Sequence, residues 1–177
     1  DLHRIGASLD IGSRSALPAH DVVDVAQRSL AELEGIVPAA FLADVEARIG
    51  AIRHTVPRIA IHGDLNFPNV VWSEGRPALI DLDQVGVGWA TEELAWAMKW
   101  WSRSTGIGTG DYDRSLSNAL LDGYGTPPEP ELLGPTLWLT GCMNANSVFA
   151  IRNAVAEDRQ NQIDGLRRRA DTLEALA

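Results

Sequence analysis

Apolar residues recur every three or four positions through most of this chain, and only residues 57–82 break into short β-type runs. Val22, Ala26, Leu30 and Leu33 form one face of an amphipathic helix over about 20–34. Phe41, Val45, Ile49 and Ile52 repeat the pattern in a second helix, with Pro38 near its first turn. Arg58–Ile61, Val70–Trp72 and Ala78–Ile80 are short apolar runs suited to strands. Ser73–Pro77 is rich in turn formers and makes the last two a hairpin. Centring that hairpin on Gly75 places Asn69 opposite Asp81. Thr91 is a candidate N-cap for a helix to about Ser102, with Glu92 and Glu93 in its first turn. Residues 111–122 read as a helix capped by Asp111, and Thr126–Pro130 as a firm break. Two further helices follow, over about 131–154 and 157–174. Residues 1–6 read as a helix end stopped near Gly6, residues 7–18 as loop, and Gly106–Gly110 as a flexible loop. The sum is an α+β chain, mostly helical, around one short hairpin.

Composition narrows the class. A chain of 177 residues with 45% hydrophobic side chains fits one soluble globular domain spanning 1–177. No apolar run reaches membrane-spanning length, and no leader pattern opens the chain. The single Cys142 excludes an internal disulfide and a cysteine-based zinc site, and suits a cytoplasmic setting. A formal net charge of −9 disfavours nucleic-acid binding, which needs clustered Lys and Arg. The same charge has two readings: a generally acidic soluble surface, or an acidic cleft for a cationic ligand.

The chemistry concentrates in His62-Gly63-Asp64-Leu65-Asn66-Phe67-Pro68-Asn69 and in Ile80-Asp81. One loop carboxylate, one amide and a second carboxylate are what magnesium-dependent phosphoryl transfer needs: a base for a hydroxyl and two oxygen ligands for the metal. Pro68 restrains Phe67 to extended conformations, which helps hold the loop in one shape.

This pattern, His62-x-Asp64-x-x-x-x-Asn69 followed by Ile80-Asp81, resembles the catalytic core of aminoglycoside phosphotransferases and choline kinases, which share the protein-kinase-like fold. Gly63, and the absence of Asp-Phe-Gly, favour the small-molecule branch over protein kinases. Asp1–Gly6 resembles the Leu-His end of the family's first C-lobe helix, and Glu92-Glu93-Leu94-Ala95 sits where the family has Asp-Leu-Ala, with Glu93 in place of the Asp. The resemblance covers the C-terminal lobe. The family's N-terminal lobe, with its phosphate loop and nucleotide-contacting lysine, is absent from this chain, and Lys99 is no candidate for that lysine. The chain therefore reads as one part of a longer protein, inactive by itself.

The resemblance implies Asp64 as catalytic base, Asn69 and Asp81 as ligands of Mg²⁺, Ile80 against the base of ATP or GTP, and His62 as an orienting residue of the loop. The partners are then a nucleotide and a small-molecule acceptor, with an aminoglycoside leading and choline, ethanolamine, homoserine or a sugar open. Asp83 reads as a loop carboxylate or a second metal contact. Trp89, Trp96, Trp100 and Trp101 read as core packing, or as a wall of the acceptor site. Glu92 and Glu93 are read as first-turn helix residues or as partners of a substrate amine. His3, His20 and His54 stand outside any metal-ligand spacing, and Arg167–Arg169 as a solvated helix face. A rival of another class is a non-catalytic kinase-like module that keeps the lobe as a binding domain.

Overall fold

The computed structural model describes residues 2–9, 17–103 and 111–177. Eight helices and four short strands make up the described chain: α1 (Leu2–Ser8), α2 (Val22–Leu33), α3 (Ala39–Ala51), β1 (Ile59–Ile61), β2 (Val70–Ser73), β3 (Arg76–Leu79), β4 (Gly86–Gly88), α4 (Ala90–Trp101), α5 (Arg114–Tyr124), α6 (Pro130–Cys142), α7 (Ala145–Asn153) and α8 (Ala156–Glu174). The class is α+β and mostly helical. Asp1 and the Gly106–Gly110 segment lie outside the described residues.

α6 organises the packing. Leu132, Leu133, Leu137, Trp138 and Leu139 are all buried, so this helix is apolar on every side and needs neighbours all round. Trp138 and Leu139 join Leu33, Phe41, Val45, Met143, Ile151 and Leu166 in one cluster. Leu133 and Leu137 join Leu94, Met98 and Leu173 in the other. α6 and α8 approach closely at Gly141, where a Cβ would press on Ala170 and Leu173. Trp138 keeps its indole N–H satisfied on Asp171 Oδ1 at 2.8 Å.

Several elements differ from the sequence expectation. The helix expected over 131–154 is two, because Asn144 turns out of α6 and caps α7, its Oδ1 accepting from the Ser147 N–H at 3.1 Å. Trp89 rather than Thr91 precedes α4, and Asp113 rather than Asp111 caps α5. α1 runs through Gly6 to Ser8, and Gly6 serves close approach instead of termination: a Cβ there would collide with the Ala60 carbonyl of β1. β4 was not anticipated. It pairs antiparallel with β1, with Ala60 opposite Val87. Its Gly-Val-Gly sequence lacks a strand signature, and it exists because β1 offers it a ladder.

The hairpin register differs by one residue. Val70 pairs with Leu79 and Ser73 with Arg76, so the turn is the dipeptide Glu74-Gly75, with φ of +52° and +73°. Two central residues at positive φ make the tight turn that matches strand twist. Asn69 therefore meets Ile80, whose N–H donates to the Asn69 carbonyl at 3.0 Å, and not Asp81.

Candidate active site

β1 delivers His62-Gly63-Asp64 to one end of the two-stranded sheet. Gly63 has φ +82°, and a side chain there would strike the Gln84 carbonyl and the His20 ring. Its N–H donates to Glu93 Oε1 at 2.8 Å. Glu93 is buried, and its other oxygen is 2.7 Å from His3 Nε2. His3 also meets the Tyr124 hydroxyl at 2.6 Å, so α1, α4 and α5 converge under the loop. His20 Nε2 donates to the Gln84 carbonyl at 2.7 Å and closes the loop from the opposite side.

His62 is buried and its Nε2 donates to the Ile80 carbonyl at 3.0 Å. Its Nδ1 faces the Asp64 N–H at 3.4 Å. This imidazole ties the loop to the end of β3, one residue before Asp81. Asp64 is half-buried and its carboxylate has a donor on each oxygen: Asn69 Nδ2 on Oδ2 at 3.1 Å and Trp96 Nε1 on Oδ1 at 2.9 Å. Asn69 Nδ2 also reaches the Asp64 carbonyl at 2.9 Å. Among the described residues no cation pairs with Asp64.

Phe67–Asn69 forms a single 3-10 turn, so Phe67 is not extended as Pro68 suggested. The Asn66 side chain caps that turn by accepting the Asn69 N–H at 3.2 Å, and this local bond outweighs the restriction before proline. Asn69 is buried and commits its amide nitrogen to Asp64, which leaves Oδ1 without a partner among the described residues. Asp81 is exposed, has φ +60°, and its carboxylate makes no hydrogen bond among the described residues. Left-handed backbone at a non-glycine residue is a costly conformation, best tolerated by Asn and Asp. It ends the strand, so Asp83 does not share a strand face with Asp81 and lies exposed in the 3-10 turn Leu82–Gln84. The free donors here are an amide oxygen and a carboxylate, the hard oxygen set that suits Mg²⁺, which takes few protein ligands beside phosphate oxygens. Among the described residues no three His, Cys, Asp or Glu side chains form a metal-binding group.

A cavity of about 240 Å³ opens beside the loop, lined by Gly63 and Trp96 and by Asp21, Asp24, Arg28 and Asn144 from the helical side. Glu92 and Glu93 reach its wall but are not free to receive a substrate amine. Glu92 lies 3.4 Å from His54 Nε2 and accepts the Val22 N–H at 3.2 Å, while Glu93 holds His3 and Gly63. Asp21 is paired with Arg58 at 2.6 Å. His54 sits between Glu92 and Glu129, 2.6 Å from the latter, and stacks on Trp89 with ring centroids 4.0 Å apart. Burial opposes its charged form, but the hydrogen bonds and charges of Glu92 and Glu129 outweigh this and raise its pKa. Ile80 is 44% exposed, with Phe67, Trp72 and Leu82 also open around the hairpin.

A model of the phosphotransferase enzyme family, APH, matches residues 1–133, which include the whole loop, the hairpin and α4. The chain belongs to the phosphotransferase enzyme family. No curated protein matches it. Within this APH chain, the matched segment ends inside α6, so α7 and α8 complete the fold beyond it.

Trp96, read from the sequence as core packing or as a wall of the acceptor site, lines the cavity, but two of its contacts were not anticipated. Trp96 donates to Asp64, and Lys99 lies against the Trp96 ring, its Nζ 4.6 Å from the centroid. The spacing held a clue: Glu93 and Trp96 are three apart on one helix face and grip the adjacent residues Gly63 and Asp64.

Proposed function

We propose that this chain is the C-terminal lobe of a protein-kinase-like phosphotransferase, one domain that transfers a phosphoryl group from ATP or GTP to a hydroxyl of a small molecule. The observation that carries the reading is the Asp64 carboxylate, unpaired by any described cation and gripped at both oxygens by Asn69 and Trp96, with the cavity walled by Gly63 and Trp96 beside its loop. Asp64 accepts a hydrogen bond from the acceptor hydroxyl, orients it toward the nucleotide, and takes its proton as transfer proceeds. Asn69 and Asp81 would hold Mg²⁺. When bound, the ion offsets the charge on the transferring phosphoryl group. His62 keeps the loop and the Ile80-Asp81 step in fixed relation. Ile80 covers one face of the nucleotide base.

An aminoglycoside is the leading acceptor by family. The cavity favours a second reading, a smaller acceptor such as choline, homoserine or a single sugar. Its volume of about 240 Å³ falls below the roughly 300–1,000 Å³ usual for drug-sized ligands. Three of the four acids among its described lining residues, Asp21, Glu92 and Glu93, are already engaged by Arg58, His54 and His3. That leaves Asp24 beside Arg28, which is not the negative lining a polycation requires.

The test is thermal stability of the intact protein with Mg²⁺ and ATP or GTP, then with a panel of hydroxyl acceptors, followed by turnover. A magnesium-dependent rise with one nucleotide, increased by one acceptor, is expected. Asp64→Ala should abolish turnover while keeping the nucleotide shift. Full turnover in that variant removes Asp64 as the base, and no shift with any nucleotide moves the chain to the non-catalytic module.

A further inference from the structure

We propose that Trp96 is a positioning residue for Asp64, and that Lys99 holds the Trp96 ring where this requires it. The inference rests on the reading of Asp64 as the base.

A carboxylate at the end of a short side chain rotates about its last bond, so a single hydrogen bond leaves its plane undefined. Here each oxygen has its own donor. Asn69 Nδ2 reaches Oδ2 at 3.1 Å and is itself anchored to the Asp64 carbonyl at 2.9 Å. Trp96 Nε1 reaches Oδ1 at 2.9 Å from a different element, α4. Donors from two sides define the carboxylate plane. An ionised carboxylate has about four acceptor sites, so lone pairs remain for an acceptor hydroxyl.

Core packing alone does not explain Trp96. The next residues along α4, Ala97 and Met98, are fully buried, while Trp96 is only partly buried and forms part of the cavity wall. Its N–H points away from the apolar clusters to the catalytic loop. The ring is gripped from both other directions. Trp100 meets it edge-on at 6.0 Å and 64°. Lys99, buried and only 7% exposed, donates to the Thr140 carbonyl of α6 at 2.9 Å and sets its ammonium against the ring. A cation on an aromatic face draws electron density toward itself, which leaves the indole N–H more positive and a better donor. Among the described residues Lys99 has no carboxylate partner, which is costly for a buried cation, and a satisfied carbonyl together with an indole face is what makes it tolerable here.

The test is steady-state kinetics in the intact protein, on the acceptor found above, for wild type, Asp64→Ala, Trp96→Phe and Lys99→Met. Trp96→Phe keeps an aromatic ring and deletes the donor. Its kcat should fall about tenfold, the order expected when a catalytic group is held less well, with the nucleotide KM within about twofold. Lys99→Met leaves every partner of Asp64 in place and should lower kcat by about threefold with the same split. A general loss of structure would lower stability and raise KM with it, so the split separates positioning from packing. Trp96→Phe at wild-type kcat, or Trp96→Phe and Lys99→Met losses that lie wholly in KM, overturns the inference and leaves Asp64 as the base. Wild type inactive on every acceptor, or Asp64→Ala fully active, overturns the reading of the site and this inference with it.

Discussion

Replacing His54 with Phe tests how the start of α4 is held. His54 Nδ1 is 2.6 Å from Glu129 and Nε2 is 3.4 Å from Glu92, with side-chain exposures of 5%, 2% and 7% for the His and the two acids. Glu129 also accepts the Thr55 N–H at 2.6 Å, and Glu92 the Val22 N–H at 3.2 Å. The cluster thus joins the segment before β1 to the first turns of α2, α4 and α6. Phe preserves stacking on Trp89 and removes the positive partner from two buried carboxylates. Breaking a buried pair from one side costs about 3–5 kcal/mol. For a chain of this length that corresponds to a fall in Tm of about 10 °C.

The sign with pH follows from the groups involved. His54 has a raised pKa, so its contribution is complete below the unfolded value of about 6.5 and is lost as pH rises through the folded value. Glu129 has a lowered pKa: burial acts to raise it, and the hydrogen bonds from His54 and Thr55 overcome that. Its contribution is present above the unfolded carboxylate value and lost as pH falls through the folded one. Glu92 has a raised pKa, chiefly from burial, and its share declines as pH rises through the acid range. The difference between wild type and His54→Phe should therefore be largest near pH 6 and shrink toward pH 8.5, read by urea unfolding at each pH. A variant within about 1 kcal/mol of wild type at pH 6, or a difference that stays flat to pH 8.5, refutes the ion-cluster reasoning.

Two further outcomes follow from the same geometry. Gly63→Ala should destabilise by about 3 kcal/mol, because its φ of +82° disfavours a Cβ that would also meet the Gln84 carbonyl; an unchanged urea midpoint would show that the loop can shift. Burial, with Arg103 adding to it, lowers the Lys99 pKa to about 8, so folding is disfavoured while the lysine must be charged. Relative to Lys99→Met, wild type should gain stability as pH rises from 8 toward 10.5, by up to about 3 kcal/mol; parallel profiles would contradict a buried ammonium.

Helix faces and the loop motif were legible because both are local. The spacing of Val22, Ala26, Leu30 and Leu33 anticipates α2, and that of Phe41, Val45 and Ile49 anticipates α3, because one apolar stripe must find a core. The motif from His62 to Asn69 with Asp81 pointed to the phosphotransferase family, since its residue types and spacing lie within one loop and one hairpin.

An α+β chain, the order of most helices and membership of the phosphotransferase family could thus be read from the residues alone. The rest was settled by packing in three dimensions. The hairpin register was set by two residues at positive φ in the Glu74-Gly75 turn, and a turn one residue shorter moves Asn69 from Asp81 to Ile80. β4 formed because β1 had unpaired backbone groups to offer. The partners of Gly63 and Asp64 come from α4, about thirty residues later, and those of Glu93 and Glu92 from α1 and the segment before β1. Hydrogen bonds between side chains so far apart in the chain leave no periodic trace. They are chosen when buried polar groups must find partners in the packed interior, and that selection is made only once the helices have met.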